Sequence, residues 1–136
     1  MATPGKLVVI ESPYRGKGYH ETEINILYAQ ACVHDSLRRG EDPYASHLFF
    51  TQIGLLDDTD KEERDRGLYA GMNWGDQAGI KAVYIDRGIS HGMELGITHS
   101  AEIGQKIVER NLSCYEDFLK NVTEDDINRV RAQFIF

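Results

Sequence analysis

The chain has no long hydrophobic run. Its longest strongly apolar stretch is residues 7–10 of 136, whereas a helix needs about 20 apolar residues to cross a bilayer. No segment has the charged start and apolar centre of a secretory signal. We therefore expect a cytoplasmic protein that has no membrane partner.

Cysteine is scarce as well. Cys32 and Cys114 lie far apart, with no CxxC motif, and the five histidines show no i, i+4 pairing with one another. A disulfide framework and a zinc site both need such spacings. We expect two free, buried thiols, no metal site and no cofactor.

Positive charge is in deficit. The 15 lysines and arginines face 22 aspartates and glutamates, which gives a net charge of −7. A field of this sign repels a nucleic-acid backbone, so duplex binding is not expected. A small anionic ligand is compatible with it wherever an arginine or a row of backbone amides outweighs the global field.

Short apolar runs alternate with segments of helical periodicity. The pattern predicts strands at residues 6–11, within 43–50, at 81–85 and at 105–110. It predicts helices at residues 21–39, from about 60 toward 79, at 91–103, and from a capping box at 123–126 toward 134. Such alternation is typical of a three-layer α/β domain. We expect one domain over residues 1–136, with a mainly parallel sheet and residues 6–11 as a central strand.

The loop that follows the first predicted strand has features of an anion site. Arg15 offers a guanidinium fork, and Gly16 and Gly18 let backbone amides face outward. The loop is neither a Walker loop nor GxGxxG, because Glu21 occupies the third glycine position. A plain strand-to-helix turn with solvated side chains is the alternative interpretation.

The loop that follows the third predicted strand carries a carboxylate. Glu94 lies in the first turn of the helix predicted after Ser90, where the helix dipole favours its ionised form. An ionised, positioned carboxylate is what a nucleophile at a sugar carbon requires. The alternative is that Glu94 only complements the dipole.

Three sequence motifs resemble one enzyme family. The string GMELG at residues 92–96 resembles the nucleophile segment of the nucleoside 2-deoxyribosyltransferase superfamily and of the related 2′-deoxynucleoside 5′-phosphate N-hydrolases. Residues 12–16 (SPYRG) are similar to the phosphate-binding Ser-x-Arg-Gly loop of those hydrolases, and Asn73-Trp74 is similar to a third stretch. The matches keep the family's order over about residues 7–110.

The resemblance implies a fold, a reaction and a site. The fold would be flavodoxin-like (Rossmann-like), and the assembly a homodimer or larger homo-oligomer in which a neighbour contributes to each site. Glu94 would attack the anomeric carbon of a 2′-deoxynucleoside or its 5′-monophosphate, so that the N-glycosidic bond is cleaved or the sugar is transferred. The implied substrate-binding residues are Ser12, Tyr14, Arg15, Gly16, Gly18, His47, Ser90 and Gly92.

The chain departs from the family at one position. Family enzymes carry an aspartate near the leaving base, and the corresponding residue here is Gly71. Asp65, Asp76 and Asp86 are nearby in sequence, but none has the matching spacing. The alternative function is therefore a nucleotide-binding or nucleotide-sensing protein with weak catalysis. A small interaction protein that docks through the acidic residues 57–66 is a third hypothesis, although a solvated helix start explains that run more simply.

Overall fold

Four parallel strands form the centre of the computed structural model, which describes residues 4–134. The strands are β1 (Leu7–Glu11), β2 (Asp42–Tyr44), β3 (Ile80–Tyr84) and β4 (Lys106–Arg110). Their order in the sheet is β2-β1-β3-β4. This is the flavodoxin-like order. β2 lies on one side of β1, whereas β3 and β4 lie on the other side, so the strand order reverses between β1 and β3. The predicted α/β class, the parallel sheet and the interior position of the first strand are confirmed.

Within residues 4–134, six helices connect or follow the strands. They are α1 (Tyr19–Arg38), α2 (Ser46–Phe49), α3 (Lys61–Gly75), α4 (His91–Glu102), α5 (Tyr115–Asn121) and α6 (Glu124–Gln133). Side chains cap three of them. The Asp60 carboxylate accepts from the Glu62 amide, Ser90 Oγ from the Met93 amide, and Thr123 Oγ from the Asp126 amide.

The sheet has helices on both faces because alternate residues of its strands point in opposite directions. Val8, Ile10 and Ala82 pack with Tyr28 of α1 in the main core, against which Phe118 of α5 also packs. On the opposite face, Val9 meets α3, and Glu11 and Lys81 meet α4. The result is the three-layer arrangement, and the second of these faces carries the cleft described below.

The second predicted strand is only partly correct. β2 occupies Asp42–Tyr44, and most of the remaining predicted stretch forms α2. The apolar residues of that stretch resemble a strand in sequence, but Leu48 packs on both apolar cores from a helical turn. α5 also lies outside the sequence prediction, because its seven residues are too few to show a clear helical period.

One expectation about burial requires correction. Both cysteines are free, but only Cys32 is buried, whereas Cys114 is exposed. On α3, Trp74 and Tyr69 are exposed. Within residues 4–134, no helix combines the length and apolar character that crossing a membrane requires.

Three glycines one turn apart allow α3 to pack closely. Gly67, Gly71 and Gly75 are all buried on this helix. A Cβ atom built at Gly71 would lie 2.6 Å from the Cβ of Ser46, and one at Gly75 would lie 3.2 Å from a Val9 methyl group. The absence of side chains at these positions therefore sets how near α3 lies to α2 and to the sheet.

Replacing Gly71 with alanine tests this contact. The added methyl group collides with Ser46, so Gly71→Ala should lower the free energy of unfolding by about 1–3 kcal/mol, as overpacking does, despite the better helix propensity of alanine. Gly79→Ala is the matched control, because a Cβ there meets no atom within 4 Å and the φ angle of Gly79 is not positive. Chemical denaturation of both variants measures the difference. Equal stability of the two variants would contradict the packing account.

Candidate functional site

A cleft of about 470 Å³ lies beside the point where the strand order switches. It is lined by the end of β1 and the loop that follows it, by α2, by the glycine face of α3 and by the first two turns of α4. Ligands of open α/β sheets bind at such a switch point, and small-molecule sites have volumes of roughly 300–1,000 Å³. The position and size of this cleft are those of a binding site.

Most of the predicted substrate-binding residues meet in this cleft. Six of them line it: Ser12, Tyr14, Arg15, His47, Ser90 and Gly92. They come from three separate segments of the chain, which the fold brings to one place. Gly16, Gly18 and Glu94 do not belong to the lining.

Glu94 does not line the cleft, although its neighbours on α4 do. The helix lines the cleft with residues 91–93, Leu95, Gly96 and His99. The Glu94 side chain is 65% exposed and lies 3.9 Å from the His91 ring. Its predicted role as the nucleophile stays a prediction.

The glycine loop directs its amides toward its own helix. The Gly16 amide donates to Thr22 Oγ1 at 2.8 Å, and the Lys17 amide donates to Glu21 Oε2 at 3.0 Å. Gly18 has a φ of 108°, which favours glycine, and directly precedes α1. The glycines thus shape the turn, and these two amides already have acceptors.

Two arginines and one aspartate form a charged group that lines the cleft. Arg15 Nη2 lies 2.8 Å from the Asp58 carboxylate, and Arg64 Nε lies 3.9 Å from its other oxygen. All three residues line the cleft. Two guanidinium groups around one carboxylate leave one net positive charge, which suits an anionic substituent on a ligand. No sequence pattern distinguishes Arg64 or Asp58, because they lie in a charge run that resembles a solvated helix start.

Ser12 and His47 form a hydrogen-bonded pair. Ser12 Oγ lies 2.7 Å from His47 Nε2, and both residues line the cleft. Burial and the nearby Lys81 ammonium lower the pKa of His47 to about 4. The imidazole is therefore neutral at pH 7 and can accept or donate a hydrogen bond without carrying charge.

A buried ion pair joins the two central strands. Lys81 Nζ of β3 lies 2.9 Å from Glu11 Oε2 of β1, and it also donates to the Gly96 carbonyl of α4 at 3.1 Å. The side chains are only 7% and 18% exposed, and both residues line the cleft. Burial raises the pKa of Glu11, and the Lys81 ammonium offsets part of that rise.

A histidine–aspartate pair lies toward the opposite end of the cleft. His99 Nε2 of α4 lies 2.8 Å from the Asp76 carboxylate at the end of α3. Gln105 donates to the Gly75 and Ala78 carbonyls nearby. Asp76 and Gln105 both precede strands, at the amino edge of the sheet, whereas Ser12 and Arg15 follow a strand at the carboxyl edge. The cleft therefore runs along one face of the sheet from edge to edge.

Position 71 has no room for an aspartate in this arrangement. The Cβ that a side chain there would need lies within 2.7 Å of both side-chain atoms of Ser46. Asp65 pairs with Lys61 on the outside of α3, and Asp86 accepts a hydrogen bond from Tyr28. Asp76 is the one aspartate of the three nearby candidates that lines the cleft.

Among residues 4–134, no group of three or more acidic, histidine or cysteine side chains could hold a metal ion.

Comparison with known proteins identifies a family but no activity. Residues 6–110 match a family described as a domain of unknown function (DUF7768). The matched span contains all four strands and every segment that lines the cleft. No curated protein and no solved structure matches the chain.

The neutral state of His47 predicts a pH-dependent stability. The pKa of His47 is about 4 in the folded protein and about 6.5 in the unfolded chain. The unfolded chain thus binds the proton first as pH falls, and the folded state loses about 2 kcal/mol between pH 7 and pH 5 from this group. Urea denaturation at the two pH values should show this loss in the wild type.

His47→Gln provides the comparison. Glutamine retains hydrogen-bonding groups but does not titrate. The loss of stability between pH 7 and pH 5 should therefore be smaller in the variant than in the wild type by about 2 kcal/mol. An identical loss in both proteins would mean that His47 is not buried in its neutral form.

Proposed function

This chain belongs to the DUF7768 family of domains of unknown function, and we propose that its cleft binds a 2′-deoxynucleoside or its 5′-monophosphate and cleaves or transfers the N-glycosidic bond. One observation carries the proposal. Six residues that the enzyme-family resemblance implies as substrate contacts line a single cleft at the β1/β3 switch point. They are Ser12, Tyr14, Arg15, His47, Ser90 and Gly92.

The chemistry of the cleft fits the parts of such a ligand. Arg15 and Arg64 supply the charge for a 5′-phosphate. Phe50, Met72 and Leu95 provide apolar surface for a planar base. Ser12 and the neutral His47 offer hydrogen bonds without charge. Apolar surface combined with placed polar groups is typical of small-molecule sites.

A carboxylate close to the sugar is the central chemical requirement. Breaking an N-glycosidic bond produces an oxocarbenium-like transition state, which a nearby negative charge stabilises. Glu11, Asp58 and Asp76 line the cleft. Water as the acceptor gives hydrolysis, and a second base gives transfer.

A homodimer belongs to the same proposal. Tyr69 and Trp74 of α3 are exposed, and so are Leu68 and Leu95, which line the cleft. Large exposed apolar side chains around a cleft favour contact with another chain. A second copy packed there would shield the cleft from water.

Two observations favour a second candidate, a nucleotide-binding protein with weak catalysis. Gly71 stands in place of the family aspartate and has no room for a side chain. Glu94 is exposed and does not line the cleft. Binding would still be expected, because the charged and apolar side chains of the lining come from other residues.

Incubation with deoxynucleosides and their 5′-monophosphates tests both candidates. We expect free base to appear by chromatography, and the same ligands to raise the thermal midpoint. At a ligand concentration of 100 times Kd, binding to the folded state adds about 2.7 kcal/mol. Stabilisation without base release would establish the second candidate. Neither effect with any member of the panel would show that the proposal is wrong.

Arg15→Ala tests the phosphate contact. Loss of the Arg15 guanidinium should weaken binding of a monophosphate by about 1.5–3 kcal/mol, the range for hydrogen bonds to charged groups. This loss corresponds to a Kd that is roughly 10- to 150-fold higher. The affinity for the unphosphorylated nucleoside should change little. Isothermal titration calorimetry with both ligands measures the two effects.

Lys17→Ala is the matched control for charge. Lys17 is exposed in the same loop and does not line the cleft. It should therefore leave both affinities close to the wild-type values. Equal losses for nucleotide and nucleoside in Arg15→Ala would assign Arg15 a structural role instead.

A further inference from the structure

We infer that Glu11 is the catalytic carboxylate of the cleft, placed to attack the anomeric carbon of the bound sugar. The inference rests on the proposed function. Glu11 is the last residue of β1 and directly precedes Ser12, so it lies at the carboxyl edge of the sheet where the substrate contacts gather. Its side chain is mostly buried and still belongs to the lining of the cleft.

The other carboxylates are less suited to this role. Asp58 is bound by Arg15 and lies 3.9 Å from Arg64, so it belongs to the anion-binding group. Asp76 pairs with His99 toward the amino edge, away from the loops that follow the strands. Glu94 is exposed and outside the cleft lining. Of these four carboxylates, Glu11 alone combines burial, access to the cleft and a position beside the predicted substrate contacts.

The surroundings of Glu11 hold its carboxylate in place. Lys81 donates to Glu11 Oε2, and the Gly96 carbonyl fixes the same ammonium from α4. Although burial raises the pKa of Glu11, the adjacent Lys81 charge favours the ionised carboxylate. A fixed negative charge in a largely water-free site stabilises a developing cation more strongly than it would in water.

α4 leaves space for this carboxylate. A Cβ atom at Gly96 would collide with Glu11 Oε2 and would lie 3.1 Å from Lys81 Nζ. Any side chain at position 96 would therefore displace the ion pair. The close approach of the helix backbone to Glu11 depends on this glycine, which indicates a built site rather than an incidental contact.

The reaction would proceed in two balanced steps. A carboxylate oxygen of Glu11 bonds to the anomeric carbon while the bond from carbon to base nitrogen breaks, and the electron pair leaves with the base, which takes a proton from water. Water then attacks the anomeric carbon, and the bond to Glu11 breaks with its electron pair returning to the carboxylate. The proton that the attacking water releases balances the one taken up, as in retaining glycosidases.

Trapping the intermediate on the wild-type protein tests the inference without a variant. A 2′-fluoro-substituted 2′-deoxynucleoside slows breakdown of a glycosyl–enzyme bond, because fluorine destabilises the cation. Cleavage after Lys6 and Arg15 by trypsin gives peptide 7–15, in which Glu11 is the only side-chain carboxylate. Glu94 falls in peptide 88–106. We expect the added mass on peptide 7–15, and its appearance on peptide 88–106 would overturn the inference.

Kinetics of glutamine variants give the second readout. Base release should fall by about 10²–10³-fold in Glu11→Gln, the range for loss of a transition-state electrostatic contact, while ligand-induced thermal stabilisation persists. Glu102→Gln, an exposed glutamate on α4, is the control for the same change. Since Glu11→Gln leaves Lys81 unpaired, Glu11→Gln/Lys81→Met removes both charges together and should retain the fold with the same loss of base release.

The outcomes separate the inference from the proposed function. Full base release in a folded Glu11 variant, with loss in Glu94→Gln, overturns the inference and supports the proposed function through Glu94. Wild-type protein that binds a monophosphate but forms neither base nor adduct overturns the inference together with the proposed cleavage. Wild-type protein that binds no member of the panel overturns the proposed function as a whole.

Discussion

The ion pair between Glu11 and Lys81 is the constraint around which the cleft is built. It joins the two central strands on one face of the sheet, where water is largely excluded. Taking two charges out of water is costly, and removing one partner of such a pair costs about 3–5 kcal/mol. The Gly96 carbonyl gives Lys81 a second acceptor, and the absence of a side chain at Gly96 lets α4 lie close enough to supply it. The position of α4, and with it one wall of the cleft, therefore depends on this pair.

The opposite wall depends on packing rather than charge. α3 approaches the sheet and α2 through Gly67, Gly71 and Gly75, so its backbone rather than its side chains forms the contact. The remaining lining comes from apolar residues such as Met72 and from the arginines beside Asp58. A ligand in this cleft would meet positive charge at one end, a neutral hydroxyl–imidazole pair, and an apolar surface. This combination is the reason for proposing a nucleotide rather than a metal or a nucleic acid as the partner.

Most of the fold could be predicted from local patterns in the sequence. Continuous apolar residues identify β1 and β3, and Asp60, Ser90 and Thr123 mark helix starts that the structure confirms. The loops around Arg15 and Ser90 are also found in this way, because residues that follow parallel strands gather at one edge. Contacts between distant residues leave no such pattern. Glu11 and Lys81 are 70 residues apart and read in sequence as the polar ends of two strands. Which side of α4 faces the cleft likewise depends on the burial of Met93 and Ser100. The motif around Glu94 does not reveal this burial.

The most direct measurement is a crystal structure of the protein with a 2′-deoxynucleoside 5′-monophosphate bound. The account predicts the ligand in the cleft at the β1/β3 switch point, with its phosphate within hydrogen-bond distance of Arg15 and its anomeric carbon nearer to the carboxylate of Glu11 than to that of Glu94. A ligand bound outside this cleft would contradict the account. A phosphate that lies at the His99–Asp76 end, with the sugar away from Glu11, would contradict it as well.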